Sequence, residues 1–207
     1  MKRILWLMLL SVLFLFTSCL GTAFHTTFNN DGSGTLSMEV TVSQVFMQMG
    51  AGEDDPVDLP LSNADITEDM EGLPGITIID QVEENTDEYT KFRTTVEFED
   101  YSVLSASETM GDSNLVKEGG DWIYTMILSE GDDSGADAED MDAETLAMMK
   151  PYFDGYEIRF SVTAPTKIKS YNMGELSADR MTVTYAIPTL EMNNMSGPEP
   201  LILKVVW

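Results

Sequence analysis

Polar and apolar residues alternate with a period of two over much of this chain, and the places where that period breaks divide it into strands, short helices and turns. From Ala23 to Asn29, Phe24, Thr26 and Phe28 fall on one face, with His25 and Thr27 on the other. Asn30-Asp31-Gly32-Ser33-Gly34 follows as a turn, since Gly, Asn and Asp tolerate positive φ. Leu36, Met38, Val40 and Val42 then resume the alternation against Thr35, Ser37, Glu39 and Thr41, which predicts a hairpin. At Ser43 the period lengthens. Val42, Val45, Phe46 and Met49 stand at helical spacing, with Ser43 as the cap and Gly50 as the stop.

Ala51 to Pro60 reads as an acidic loop, and Asp65 to Glu71 as one or two helical turns before Gly72-Leu73-Pro74-Gly75. Ile76 to Asp80 and Tyr89 to Glu99 read as strands, the second with Phe92, Thr94, Val96 and Phe98 inward. Asp100 to Ser107 is a weak helical stretch, and Asn114 to Gly120 a turn or sheet edge. Trp122 to Leu128 is apolar on both faces, the mark of a central strand. Glu130 to Asp140 is an acidic loop, and Asp142 caps a helix through Lys150, stopped by Pro151. Strands follow at Ile158 to Val162, Lys167 to Tyr171, Met181 to Ile187 and Leu201 to Trp207. The order predicts an α+β fold, mainly an antiparallel β-sheet with two or three short helices and a C-terminal β-meander.

The first residues do not belong to that pattern. Lys2 and Arg3 precede an apolar run from Ile4 to Phe16, 13 residues broken only by Ser11. A bilayer span takes about 20 residues, so the run reads as the core of a signal peptide. Thr17 and Ser18 place a cleavage point before Cys19, the only cysteine, and Leu15-Phe16-Thr17-Ser18-Cys19 resembles the lipobox of bacterial lipoproteins, with Phe16 where the common pattern has Leu. The resemblance implies loss of residues 1–18, a diacylglyceryl group on the sulfur of Cys19 and an N-acyl chain on its new amino group. It places the protein in a bacterial cell envelope, membrane-anchored and facing the periplasm or the exterior. Residues 19–23 are then a tether and residues 24–207 one domain.

Charge narrows the partners. Of 11 basic and 36 acidic residues, the signal peptide removes Lys2 and Arg3, leaving 9 − 36 = −27. Such a chain repels nucleic acid and anionic headgroups at long range, so no nucleic-acid partner is expected.

Two stretches of strand carry a second resemblance. His25-Thr26-Thr27-Phe28-Asn29-Asn30-Asp31-Gly32-Ser33-Gly34 leading into Leu36-Ser37-Met38-Glu39-Val40-Thr41-Val42-Ser43 is similar to the opening of the LppM-like lipoprotein domain. Arg159-Phe160-Ser161-Val162-Thr163-Ala164-Pro165-Thr166-Lys167-Ile168, with Val183-Thr184-Tyr185-Ala186-Ile187-Pro188, is similar to its closing strands. The resemblance implies a BON-like sheet on a lipid anchor and the binding of envelope lipids or glycolipids.

Chemistry-bearing residues are few. His25 is the only imidazole, Cys19 is assigned to lipid, and neither GxSxG nor HExxH occurs, so no enzyme is expected and no catalytic residue is named. The acidic loop, with Asp132, Asp133, Asp137, Glu139 and Asp140, offers oxygen ligands for weak calcium binding. With Gly135 at the sixth position of an EF-hand, however, Met141 stands where the bidentate Glu belongs. A metal site is therefore not the primary reading. Phe46, Met49, Met126 and Met149 are adaptable apolar residues suited to a groove for an acyl chain, with Lys167 and Lys169 for a headgroup. The expected function is interaction or structural support at the membrane surface by an anchored domain, with a protein partner or an envelope lipid as the alternative ligands. No cofactor beyond the covalent lipid is expected.

Overall fold

The computed structural model describes residues 21–44, 62–68, 70, 72–107, 109–110, 112–131, 157–188 and 199–207. The signal peptide with Cys19, most of the Ser43 helix, the Ala51 to Pro60 loop, most of the acidic loop and the Asp142 helix lie outside these residues.

The predicted hairpin forms β1 (Gly21–Phe28) and β2 (Gly34–Ser43). Its turn is closed by Asn29 N–H donating to Ser33 O at 2.8 Å, while Asp31 Oδ1 accepts from Ser33 N and Oγ at 3.1 and 2.7 Å. Gly32 has a φ of 92°, where an L side chain is strained. At Gly34 the reason for glycine is space: a Cβ would lie 2.0 Å from Thr27 O and 2.8 Å from Phe98 Cζ.

Helix α1 (Asn63–Thr67) and the Gly72 to Gly75 turn lead into β3 (Ile76–Asn85), followed by β4 (Tyr89–Phe98) and α2 (Tyr101–Leu104). β4 buries Phe92, Thr94, Val96 and Phe98, as its alternation requires. β3 runs five residues beyond the predicted Asp80. Its second half holds Gln81, Glu83 and Glu84 on an exposed edge strand, where nothing enforces an apolar face.

Asp100 caps α2, its Oδ1 accepting from Ser102 N–H at 2.8 Å. The side-chain and backbone bonds to Ser102 hold its carboxyl below the usual range. A depressed carboxyl stabilises the fold above its unfolded pKa, and that contribution is lost as pH falls through the folded value. Asp100→Ala is expected to cost ~1 kcal/mol at neutral pH. The difference from wild type should shrink below about pH 4. Urea midpoints at neutral and acid pH test this, and a pH-independent difference would contradict the charged cap.

The next strands are β5 (Ser113–Glu118), β6 (Asp121–Ser129), β7 (Glu157–Thr163), β8 (Ser170–Tyr171), β9 (Glu175–Leu176), β10 (Thr182–Pro188) and β11 (Leu201–Val206). They correct the expectation of one antiparallel sheet with a terminal meander, because the strands form two sheets. A seven-stranded sheet runs β3-β4-β2-β1-β7-β10-β9 and a four-stranded one β5-β6-β11-β8. The first is mixed, since β1 pairs with β7 in parallel while its other pairs are antiparallel. The last third alternates between sheets, and the predicted Lys167 to Tyr171 strand contracts to β8. With two short helices among the described residues, the fold is mainly β.

β6 is an inner strand of its sheet, as expected. One face, with Tyr124 and Met126, is buried; the other leaves Ile127 37% exposed beside Ile202 on β11. Apolar composition on both faces therefore located the strand within the sheet without implying burial on both sides.

One apolar cluster joins the sheets. Phe28 is its hub, with ring centroids of Phe98, Tyr101, Tyr124 and Trp207 at 5.9, 5.3, 5.7 and 5.1 Å. Trp207 exchanges both backbone hydrogen bonds with Trp122 at 3.1 Å, and Trp122 Nε1 donates to Asn30 O at 3.2 Å. The second sheet is thus pinned to the β1–β2 turn.

Candidate functional site

The β1 start defines one end of the larger sheet. Glu84 pairs with Lys91, Lys91 with Thr41, Thr41 with Gly21, Gly21 with Glu157, and Glu157 with Pro188, so one register row crosses six strands. Inward of it, on the core-facing side, Met38, Phe24, Phe160 and Tyr185 form another row. Met38 is buried and the three aromatic residues are half-buried. The rings of Phe24 and Phe160 stack with centroids 5.3 Å apart and planes 6° from parallel. In the row between these two, Val40 and Ile187 are buried, while Thr22 and Ile158 are half-buried. This gives an apolar floor with accessible aromatic surface, suited to dispersion contact with a chain of CH₂ groups.

Sequence reasoning did not find this floor. Phe24 and Phe160 each stood on a predicted strand face, but no local pattern reveals that residues so distant in the chain are neighbours through a parallel pair.

The groove and headgroup residues named from sequence are only partly described. Phe46, Met49 and Met149 lie outside the described residues, as do Cys19, Asp132, Asp133, Asp137, Glu139 and Asp140. Met126 is buried on β6, where Tyr124 Oη donates to its Sδ at 3.6 Å. Lys167 and Lys169 are exposed on either side of buried Ile168. Lys169 forms an ion pair with Asp121, and its N–H donates to Val206 O at 2.8 Å. Met126 pairs with Leu203, three residues away from Val206 on β11, which at ~3.3 Å per residue separates it from the Lys169 backbone by about 10 Å along the strand.

His25 lies exposed on the outer face, with Thr163 Oγ1 at 3.5 Å. Desolvation lowers its pKa, so its neutral form is favoured in the fold. Around it the rows are hydroxyl-rich: Thr95, Ser37, His25, Ser161 and Thr184 form one, and Thr35, Thr27, Thr163 and Thr182 its neighbour. Cross-strand bonds occupy several hydroxyls, at 3.2 Å for Thr95–Ser37, 3.1 Å for Ser161–Thr184 and 2.9 Å for Thr163–Thr182. Such pairs stabilise a sheet face.

The buried phenols serve packing in the same way. Tyr101 Oη meets Ser113 Oγ at 2.6 Å and Tyr124 Oη at 3.4 Å. Burial raises the pKa of both tyrosines, keeping them neutral hydrogen-bonding groups. Among the described residues, no group of three or more His, Cys, Asp and Glu could hold a metal ion, and no helix is long and apolar enough to cross a membrane.

No family model matches this chain, and no curated protein matches it. Among solved structures, it is similar to the NMR structure of the folded domain of LppM from Mycobacterium tuberculosis, with a TM-score of 0.42 and 12% identity. The alignment covers 92% of this chain and 90% of that one. This is a likeness in the course of the chain, and no residue role passes through it.

Proposed function

We propose that this protein is a lipid-anchored, non-catalytic domain of a bacterial cell envelope, with an interaction or structural role at the membrane surface. One juxtaposition supports the reading: Leu15-Phe16-Thr17-Ser18-Cys19 has the residue types of a lipobox, and β1 begins at Gly21, only Leu20 intervening. A thiol suits acyl-glyceryl transfer because its thiolate is the stronger nucleophile, and two or more chains hold a protein stably on a bilayer. The N-terminal peptide of membrane-fraction protein is expected to begin at Cys19 and carry the mass of a diacylglyceryl and an N-acyl group. An intact Ser18-Cys19 bond or an alkylatable Cys19 thiol would overturn the reading.

A second reading, binding of an envelope lipid in an apolar groove, is favoured by the half-buried Phe24–Phe160–Tyr185 row, which begins five residues after Cys19. Its ligand is recognised by CH₂ contact rather than by charge. Lipid copurifying with detergent-exchanged protein, and lost on Phe160→Ser, is the expected result.

A further inference from the structure

Among the described residues, the two sheets end in four edge strands, β3 and β9 in the larger and β5 and β8 in the smaller. An open edge carries unpaired N–H and C=O groups, and folds blunt it with short strands, charges or bulges. Three of the four are blunted. β8 and β9 are two residues long, and β3 carries Asp80, Glu83 and Glu84 with a register shift between Ile78 and Asp80. β5 is six residues long, keeps an unbroken register against β6 and holds one Lys and one Glu. Its Asn114, Val116, Lys117 and Glu118 are exposed.

The hydrogen-bond pattern fixes which groups face outward. Ile127 N–H donates to Asp112 O at 2.8 Å just before β5 begins, which makes Asp112 and Ile127 a hydrogen-bonded pair. Alternation along an antiparallel ladder then gives Asn114, Val116 and Glu118 to β6 and turns the N–H and C=O of Leu115 and Lys117 toward the open edge. The hairpin has the same phase: Gly119 and Gly120, both at positive φ, form the two-residue turn that closes on Glu118 and Asp121. The chain is described throughout from Asp112 to Gly131, which lies beyond the opposite end of β6.

We propose that β5 is a self-pairing edge, joining two copies of this chain as a symmetric antiparallel pair with Val116 on the two-fold axis. In this register Leu115 of each copy opposes Lys117 of the other, so every outward N–H and C=O of these two residues gains a partner. Asn114 opposes Glu118, an amide against a carboxylate, and no like charges meet. The neighbouring registers are poorer. Centring on Lys117 would set two ammonium groups opposite each other, and centring on Leu115 would pair Lys117 with Ser113, whose N–H already donates to Met110 O at 3.0 Å.

The same register extends an apolar row on the outer face. Val206, Ile123 and Val116 lie side by side across β11, β6 and β5, the first two half-buried and Val116 37% exposed. On the axis Val116 meets its own counterpart in a non-hydrogen-bonded pair, where Cα atoms stand about 4.5 Å apart and side chains touch. A second copy is the occupant because the edge is complementary to itself in hydrogen bonds, charge and apolar surface. Six residues at ~3.3 Å each make a contact about 20 Å long. That is smaller than a standard interface of roughly 800 Å² per partner, so association is concentration-dependent.

In a chain carrying Cys19→Ala behind an ordinary cleavable leader, an introduced thiol is the only one. Val116→Cys is expected to form a disulfide between copies under mild oxidation, because Cα atoms about 4.5 Å apart lie within the range such bonds span. Ile79→Cys, 52% exposed on the blunted β3 edge, should cross-link far more slowly. Sedimentation equilibrium of the Cys19→Ala parent is expected to show monomer and dimer in exchange. Val116→Asp should abolish the dimer by setting two carboxylates face to face, while the melting temperature stays near that of the parent, as for other exposed substitutions. Equal cross-linking at 116 and 79, a parent that is monomeric at every concentration, or a Val116→Asp protein that dimerises as the parent does, overturns the proposal.

Discussion

Replacing Cys19 with alanine, in a chain directed outward by an ordinary cleavable leader, is expected to move the protein from the membrane fraction to the soluble one. Each buried CH₂ of an acyl chain contributes ~0.8 kcal/mol, and stable anchoring takes two such signals. Losing every chain therefore removes the whole attachment in this reading. Among the described residues, no helix is long and apolar enough to cross a membrane in its place. A formal charge of 9 − 36 = −27 after loss of Lys2 and Arg3 opposes adsorption to anionic lipid. The leader must be exchanged because the uncleaved Ile4 to Phe16 run would itself retain some protein in the bilayer. Fractionation after a high-salt wash gives the readout. Alanine-bearing protein that stays as firmly bound as wild type would remove the anchor from the account.

Phe28→Ala is expected to cost about 3–5 kcal/mol of folding stability. That is a large share of the roughly 5–15 kcal/mol available to a typical domain. Phe28 is 2% exposed and meets rings from β4, α2, β6 and the C-terminal residue, so its removal opens a void where the two sheets are joined. Neighbouring strands cannot easily close it. Gly34, paired with Phe28, already lies so near Thr27 O that even a Cβ there has no room. Equilibrium urea unfolding followed by tryptophan fluorescence reports the change, since Trp122 and Trp207 bracket the cluster. Phe28→Leu should lose less, because it retains more of the apolar volume. A cost for Phe28→Ala under about 1 kcal/mol, the range of an ordinary substitution, would mean that the sheets are held elsewhere.

The candidate site was legible in unequal parts. The residues around Cys19, outside the described residues, carry a local signature of charge, apolar run and small residues, on which the proposed anchor rests without reference to the fold. The aromatic floor carries none. Phe24 and Phe160 each satisfy a strand alternation that any core residue would satisfy, and only the parallel pairing of β1 with β7 stacks them. Lys167 and Lys169 show the opposite case. Their exposure on either side of Ile168 follows from the alternation, but Lys169 is committed to Asp121, a neighbour the pattern does not reveal.

By itself, the sequence determined the β1–β2 hairpin, the inward face of β4, the start of α2 at Asp100 and the inner position of β6. In each, one face must meet apolar matter while the next residue meets water, or a turn requires Asn, Asp or Gly, and these are local demands written in a few consecutive residues. The tertiary structure alone decided the division into two sheets, the parallel β1–β7 pair, the acidic second half of β3 and the open outer face of β6. Those features depend on which strand lies beside which, and apolar burial is non-directional: the same alternation is satisfied by many neighbours, until rings such as those around Phe28 select one packing.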